Sequence, residues 1–289
     1  RNQTEKKGNV GSKDLTVNFK NKTRVLLFAS RGITYRERHL MEDLRSLMPH
    51  SKKDVKMEKK ERLSLINEIA EIKNCDSCLY FEERKKKDLY LWAARTPEGP
   101  TIKFHVTNIH TMDELKMTGN CLKGSRPVLS FDAAFESAPF LRMTKALFTK
   151  IFSVPQYHPK SKPFVDHVMT FTVIDNRIWL RNFQIIEQPV DKKKTQLMLA
   201  EIGPRLVLNP IKVLEHGFSG PTLYENPNYV SPNRVRSMQR EALAGKYKRR
   251  KTAELESKER HKDFVLPQDE VAAVFREDEM ESSGTDDEE

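Results

Sequence analysis

Cysteine and glycine are scarce in this chain of 289 residues, which contains three Cys and 11 Gly. Three cysteines cannot form a disulfide framework, so the sequence favours a protein of a reducing compartment. The glycines form no phosphate-binding loop, and no Ser, Cys or His lies at the spacing of a nucleophilic motif. We therefore expect a protein that is not an enzyme and that uses no cofactor.

Two of the cysteines have the spacing of half a zinc site, because two residues separate Cys75 from Cys78. A structural zinc site usually has four ligands, and Cys121 lies far along the chain with no second ligand beside it. We expect Cys75 and Cys78 to pack at the start of a strand and to bind no metal.

Long apolar segments are also missing. No run of 18 apolar residues occurs, and no stretch has the pattern of a signal peptide. The sequence thus predicts a soluble intracellular protein that makes no membrane contact.

Charge, in contrast, is plentiful and unevenly distributed. Lys and Arg number 51 against 41 Asp and Glu, a formal net charge of +10. Residues 277–289 contain eight acidic groups and no Lys or Arg, so residues 1–276 carry a formal +18. A body with this excess of cations is expected to bind a polyanion.

The apolar pattern predicts two similar α/β halves. Residues 24–28 form a run typical of a strand buried on both faces, and residues 35–48 have the spacing of an amphipathic helix that ends at Pro49. Residues 128–131 and 139–152 repeat this strand and this helix. We expect an α/β fold of two related halves, with mixed sheets and helices packed on them.

Further elements complete each half. In the first, strands are predicted at residues 78–81, 88–92 and 101–106. In the second, strands at residues 167–174 and 177–187 are joined by an Asp-Asn pair, a signal for a two-residue hairpin loop. A second helix of the first half is predicted to bury Leu63, Ile66, Ile69, Ala70 and Ile72.

A Gly-Pro pair, Gly203-Pro204, separates two apolar runs and predicts a bend between strands. Arg205 follows at the corner, where two interpretations stay open. It is displayed for a ligand, or it pairs with a nearby carboxylate such as that of Glu201.

Composition divides the chain into four segments. Residues 1–22 are predicted to be basic and disordered, and residues 23–217 to fold as halves of about 23–122 and 123–217. Residues 218–262 form a basic, partly helical extension in which Ser231-Pro232 is a helix start signal. With few apolar residues to bury, this helix is expected to form fully only against a partner. Residues 263–289 form an acidic tail that is predicted to be disordered.

Clusters of Lys and Arg are the candidate binding residues. They lie in loops and turns of both halves and along the basic extension. The cations expected to contact a phosphate backbone or an acidic protein are Arg31, Arg36, Lys52, Lys53, Lys85, Lys86, Lys87, Arg126, Lys192, Lys193, Lys194, Arg205, Arg234, Arg236, Lys246, Lys248, Arg249, Arg250 and Lys251. Candidate stacking residues near these cations are Tyr35, Tyr157, Tyr229 and Tyr247. Residues 246–251 also fit a nuclear-import signal.

Four stretches together resemble one known family. They are residues 24–31, residues 97–104, residues 126–131 and residues 201–206, and they resemble the Brix domain family over about residues 23–217. The positions that match its motifs are Ser30-Arg31, Gly99-Pro100-Thr101 and Gly203-Pro204-Arg205.

This resemblance implies two halves similar to the anticodon-binding domains of class II aminoacyl-tRNA synthetases. It further implies a nucleolar assembly factor of the large (60S) ribosomal subunit that binds precursor rRNA, other pre-60S assembly factors and ribosomal proteins. The residues leave two alternatives, a protein-interaction module for acidic partners and a tRNA-recognition domain.

Overall fold

The computed structural model describes residues 23–58, 62–115, 118–155, 158–191 and 194–262. The chain divides into two units, Arg1–Tyr229 and Val230–Glu289. The described strands are β1 (Val25–Ala29), β2 (Ser51–Lys53), β3 (Ser77–Arg84), β4 (Asp88–Arg95), β5 (Thr101–His110), β6 (Pro127–Phe131), β7 (His167–Ile174), β8 (Arg177–Asp191), β9 (Lys194–Glu201), β10 (Arg205–Leu214) and β11 (Thr222–Glu225). The described helices are α1 (Tyr35–Leu47), α2 (Leu65–Ile72), α3 (Met112–Leu115), α4 (Pro139–Phe152) and α5 (Pro232–Lys262), and a 3₁₀ turn covers Ala133–Glu136.

All the described strands belong to one mixed sheet. Its main order is β2-β1-β3-β4-β5-β10-β8-β7-β6, while β11 pairs with β10 and β9 pairs with β8. Outward from the antiparallel β5–β10 pair, each half has two antiparallel neighbours and then a parallel pair, β3 with β1 on one side and β7 with β6 on the other. The α/β class and the repeated order are therefore confirmed, and the halves share a single sheet.

Strand β1 is apolar throughout because it lies between two hydrophobic cores, one on each face of the sheet. Val25 and Leu27 point into a cluster that includes α1 and α4, whereas Leu26 and Phe28 point into a second cluster that includes α2. Successive side chains of a strand point to opposite faces, so a strand between two layers must be apolar at every position. The predicted double burial of this strand is confirmed.

One phenylalanine joins the two halves. The Phe148 ring, on α4, lies 5.5 Å from the Phe104 ring on β5 and 5.2 Å from the Phe171 ring on β7, measured between centroids. All three side chains are fully buried. Because β5 and β7 come from different halves, the cluster contributes to the stability of both.

The second core contains the cysteines and corrects one helix prediction. Cys75 and Cys78 are buried there with free thiols, which confirms their packing at the start of β3. Helix α2 buries Ile66 and Ala70, but Ile72 is 76% exposed. The prediction for Ile72 was wrong because a residue two positions after Ala70 lies about 200° around the helix, on the solvent side.

Helix α5 is long and has no buried residue. At 1.5 Å per residue its 31 residues extend about 46 Å. Its first turn begins as predicted, since the Arg234 amide donates to the Ser231 hydroxyl (3.4 Å) and Pro232 is the first helical residue. None of the described helices combines the length and the apolar character that a membrane crossing needs.

Candidate nucleic-acid interface

The Gly-Pro-Arg corner lies between β9 and β10, and its shape depends on Gly203. Gly203 has a φ of 87°, a conformation that residues with a Cβ atom resist. The buried Asn182 side chain donates to the Gly203 carbonyl (3.3 Å), and the Asn182 backbone carbonyl accepts from the Ile202 amide (2.9 Å). The predicted bend between two strands is therefore confirmed.

Arg205 follows this bend and is paired with Glu201. Its guanidinium donates two hydrogen bonds to the Glu201 carboxylate, one of them 2.6 Å long. The side chain of Glu201 is 11% exposed and that of Arg205 is 35% exposed. Hydrogen bonding to Glu201 raises the pKa of Arg205 above its ordinary value. Of the two interpretations left open by the sequence, the ion pair is present, so a phosphate has to compete with Glu201. An RNA contact of Arg205 stays a prediction.

Four other predicted cations of the first half also have partners. Their nearest oxygen partners are Glu58 for Arg31 (2.8 Å), the Lys73 carbonyl for Lys52 (2.7 Å), Glu114 for Arg36 (3.8 Å) and Glu42 for Lys53. The three exposed ion pairs among these contacts each contribute about 1 kcal/mol or less to stability. Phosphates can therefore replace these partners at small cost.

The turn between β3 and β4 displays Lys85, Lys86 and Lys87, all of which are exposed. Lys85 and Lys86 have φ values of 55° and 53°, and the Lys87 amide donates to the Arg84 carbonyl (3.1 Å). The register pairs Arg84 with Asp88 and leaves a three-residue loop, and positive φ angles such as those of Lys85 and Lys86 favour Asn and Gly. Two lysines at these positions add backbone strain and like-charge repulsion, so the turn is not built for stability.

The equivalent turn of the second half uses residues that tolerate this geometry. Asp175 and Asn176 join β7 and β8 with φ values of 53° and 57°. The predicted hairpin is confirmed. The contrast between the two turns makes these lysines candidates for a role other than folding, and their contact with RNA stays a prediction.

Arg126 precedes β6 and is half-buried. Its amide donates to the Phe164 carbonyl (2.9 Å), while its Nε atom is buried and has no hydrogen-bond partner among the described residues. Lys192 and Lys193 lie outside the described residues, as does the side chain of Lys194. Binding of RNA by these four residues stays a prediction.

Helix α5 carries the largest group of cations. It has eleven Lys and Arg against four Glu. Lys251 pairs with Glu254 (2.8 Å), and Arg250 lies 4.0 Å from the same carboxylate. The predicted cations of this helix are exposed or half-buried: Arg234, Arg236, Lys246, Lys248, Arg249, Arg250 and Lys251. Such a helix presents a row of positive charge to solvent.

Two tyrosines of the four stacking candidates are well exposed. Tyr35 is 70% exposed and lies against the His39 ring and under the Arg38 guanidinium. Tyr247 is 54% exposed, with the Arg250 guanidinium 5.8 Å from its ring centroid. Tyr229 is half-buried beside His105, and Tyr157 lies outside the described residues. Among the described candidates, Tyr35 and Tyr247 therefore have the most exposed rings.

Comparisons with known proteins identify the family of the chain. A family model described as "Brix domain" matches residues 30–212. The chain belongs to the Brix domain family. It is 57% identical over 259 residues to "Ribosome biogenesis protein BRX1 homolog" of Homo sapiens, covering 89% of this chain and 71% of that protein. It is 48% identical over 283 residues to "Ribosome biogenesis protein BRX1" of Saccharomyces cerevisiae, covering 95% of each.

A solved structure is also similar. The crystal structure of a probable ribosomal biogenesis protein from Aeropyrum pernix matches 65% of this chain and 96% of its own, with 17% identity and a TM-score of 0.43. The family resemblance that the sequence motifs indicated is thus confirmed by the family model and the relatives.

The motif positions of the Brix domain mostly hold the chain together. The Ser30 hydroxyl is buried and accepts from the Glu83 amide (2.9 Å). The Thr101 hydroxyl donates to the His216 carbonyl and accepts from the Phe218 amide, both at 2.8 Å. Gly99, with a φ of 92°, leaves no room for a Cβ atom beside the Glu215 carbonyl. These contacts join distant segments, which gives the motifs an architectural role.

A row of residues on β8 was missed by the sequence reasoning. Arg177, Trp179, Arg181 and Phe183 alternate with Ile178, Leu180 and Asn182 along this strand. Ile178 and Leu180 belong to the first core, whereas Trp179 and Phe183 belong to neither core cluster. The signal was the strict alternation of cation and aromatic residues within a predicted strand, which a search for runs of consecutive Lys and Arg does not detect.

A buried cation was missed as well. Lys103 is 9% exposed and donates to Glu82 (3.1 Å), with its Nζ atom 4.3 Å from the Trp92 ring centroid. Burial lowers the pKa of Lys103, although Glu82 opposes the shift. Because its charge is enclosed by Glu82 and two aromatic rings, including that of Tyr90, Lys103 is not a contact for RNA.

Proposed function

We propose that this protein is a non-catalytic assembly factor of the large ribosomal subunit that binds precursor rRNA and partner assembly factors in the nucleolus. The role in ribosome assembly is supported by relatives in animals and yeasts that are named ribosome biogenesis proteins. The observation that carries the RNA part is helix α5, whose eleven Lys and Arg lie on a helix without a buried residue.

Physical chemistry favours RNA as the ligand of this surface. RNA helices hide their major groove, so proteins bind their phosphates and 2′-hydroxyls and the bases of unpaired segments. Each cation that neutralises a phosphate releases a counterion and makes the affinity depend on salt. Helix α5 and the Lys85–Lys87 turn supply exposed cations for such contacts.

Strand β9 offers an apolar surface for binding the partner assembly factors. Its consecutive side chains Leu197, Met198 and Leu199 are 65%, 46% and 57% exposed, respectively. Strand β9 pairs only with β8 among the described strands, and on its other edge the Gly119 amide donates to the Glu201 carbonyl (3.2 Å). Three consecutive exposed apolar side chains on a strand at the side of the sheet support a contact with another protein.

The test is a binding series with matched ligands. We expect the purified protein to bind a large-subunit precursor rRNA transcript with an affinity that falls steeply with salt, and to bind a tRNA and an acidic peptide of equal charge more weakly. Equal affinity for the three ligands would show an unspecific polycation. A preference for tRNA or for the peptide would establish the corresponding alternative.

The proposed location is tested in cells. We expect a fluorescent fusion to concentrate in the nucleolus and to shift toward the cytoplasm when Lys248, Arg249, Arg250 and Lys251 are replaced by Gln. Replacing the four exposed cations Lys56, Lys123, Arg142 and Lys160 by Gln is the matched control, because it removes equal charge outside both the import signal and the proposed RNA contacts. A nucleolar signal that is lost only in this control would assign targeting to the body.

A further inference from the structure

The two halves differ in how the outer face of the sheet is covered, where the outer face is the side opposite α4. In the first half, Leu26, Phe28 and Cys78 lie on this face beneath helix α2, which supplies Ile66 and Ala70. Among the described residues of the second half, α4 packs on the opposite side and no helix follows it before β7. The outer face of β7 and β8 therefore has no equivalent of α2.

On this face Trp179, Arg181 and Phe183 are half-buried, whereas Arg177 and Thr172 are exposed. By register, Trp179 lies opposite Thr172, Arg181 opposite Thr170 and Phe183 opposite Val168. Paired residues share a face, so the surface combines two aromatic rings, hydroxyl groups and guanidinium groups. A covering helix like α2 would have to remove water from Arg181 without supplying it with a partner, which is unfavourable.

The cations of this face are free to bind an anion. Neither Arg177 nor Arg181 takes part in an ion pair within the described residues, and Arg181 lies 5.7 Å from the Trp179 ring centroid. The nearest acidic residue by register, Glu201, lies opposite Phe183 and is already paired with Arg205. Glu187 also lies on this face by alternation along β8, so Arg177 and Arg181 together leave an excess of one positive charge there.

We propose that the row Arg177, Trp179, Arg181 and Phe183 on β8 binds an unpaired segment of RNA. The aromatic rings stack on bases and the guanidinium groups contact phosphates, the combination by which proteins hold single strands. A duplex cannot use the rings because its bases are stacked on one another. This proposal rests on the proposed RNA-binding function, and it names both the site and the single-stranded form of the ligand.

The test compares single-stranded and double-stranded RNA of 12 nucleotides or base pairs by fluorescence anisotropy at several salt concentrations. The variants are Trp179→Leu/Phe183→Leu and Arg181→Gln in the full chain. Their matched controls are Phe164→Leu, an exposed aromatic residue outside the strands, and Arg142→Gln, an exposed cation on α4.

We expect the double variant to bind the single strand at least about tenfold more weakly, because two stacking rings are removed and the loss of one stacked base alone weakens binding by about tenfold, with an unchanged salt slope. Arg181→Gln should reduce the magnitude of the salt slope by about 0.7, one phosphate contact. Both controls should bind like the natural chain, and duplex binding should be the same for all variants. An equal loss for duplex and single strand would overturn the proposal.

A second measurement does not depend on the folding of a variant. A 4-thiouridine oligonucleotide is crosslinked to the natural chain and the tryptic peptides are identified. Adducts on residues 178–181 or 182–192 support the proposal, and adducts on peptides of α5 alone overturn it. If adducts form on α5 alone, the proposed RNA-binding function still holds. If the chain binds no RNA, both the proposed function and the β8 site are wrong.

The rival occupant is a protein. If the double variant binds RNA like the natural chain but no longer sediments with pre-ribosomal particles, the face docks a protein and the RNA proposal is wrong. The same sedimentation with Phe164→Leu controls for a general effect of removing an exposed aromatic ring.

Discussion

Arg205 serves mainly as the ion-pair partner of Glu201, because the Glu201 carboxylate is nearly buried while Arg205 is one third exposed. We expect Arg205→Ala to destabilise the fold by about 1–3 kcal/mol, since the change leaves a desolvated carboxylate without its donor. RNA affinity per folded molecule should change little. Urea unfolding and RNA titration of the same preparation check this.

A double variant provides the control for that prediction. Replacing both residues, as in Glu201→Gln/Arg205→Ala, should recover part of the lost stability because no charge is then left unpaired. Full stability of Arg205→Ala together with weaker RNA binding would contradict our expectation and assign Arg205 to the interface.

His50 makes the stability of the fold depend on pH. Its ring is buried, and its Nε2 atom donates to the Ile151 carbonyl (2.9 Å), so a residue of the first half holds helix α4 of the second. Burial lowers the pKa of His50 from 6.5 to about 4. Between these values the unfolded state binds more protons, so stability present above pH 6.5 is lost as the pH falls toward 4.

We expect His50 to account for about 3 kcal/mol of this acid destabilisation. His50→Gln keeps a donor for Ile151 but removes the titration. The difference in unfolding free energy between the two proteins should therefore narrow from pH 7.5 to pH 4.5. His261→Gln, at an exposed position of α5, is the control. A difference that stays constant with pH would show that His50 does not titrate in this range.

At the scale of elements, the β3–β4 hairpin gives the sharpest contrast between stability and binding. We expect Lys85→Asn/Lys86→Gly to raise stability by about 1–2 kcal/mol, because the new residues fit the positive φ angles of the turn. The same change should reduce the magnitude of the RNA salt slope by about 1.5, two phosphate contacts. Thermal unfolding and salt-dependent titration measure both effects.

The equivalent hairpin supplies the control. Asp175→Asn/Asn176→Gly alters a turn with the same φ signs that carries no lysine. It should change stability by less than about 1 kcal/mol and weaken RNA binding not at all. A stabilised β3–β4 variant with an unchanged salt slope would leave the lysines without a role in binding.

Local patterns predicted most elements but not their assembly. The strand of residues 24–28, the Asp175-Asn176 hairpin and the Gly203 bend are each determined by neighbouring residues, and each is confirmed. The pairing of β5 with β10 joins residues about a hundred positions apart, for which a local pattern gives no register. The short strand β11 was missed because its pairing with β10 defines it, not its own sequence.

The candidate site was predictable only in part, for a related reason. Consecutive cations such as those of Lys85–Lys87 and of α5 are visible in the sequence and are exposed in the structure. Whether a cation is free or paired depends on tertiary neighbours, as Arg205 and Lys103 demonstrate. The face of β8 that carries Trp179 could be recognised only from the structure, which places Ile178 and Leu180 in the core and Trp179 outside it.

At the scale of the whole molecule, we expect the two units to have separable tasks, folding stability in the first and RNA affinity in the second. Every residue of both core clusters precedes Val230, and α5 has no buried residue. We therefore expect a chain that ends at Tyr229 to melt within about 2 °C of the full chain. If about six cations of α5 contact phosphates, the magnitude of the RNA salt slope should fall by roughly 4 to 5 in the shortened chain.

Charge substitution distinguishes lost contacts from lost structure in this experiment. Replacing Arg249, Arg250 and Lys251 by Gln in the full chain should lower the magnitude of the slope by about 2 to 3 without changing the melting temperature, because Gln is also a good helix former. Replacing them by Lys, Lys and Arg keeps the charge and should restore the slope. An unchanged slope in both the shortened chain and the Gln variant would place the RNA contacts on the Brix domain itself, where the Lys85–Lys87 turn and the outer face of β8 are the surfaces to examine.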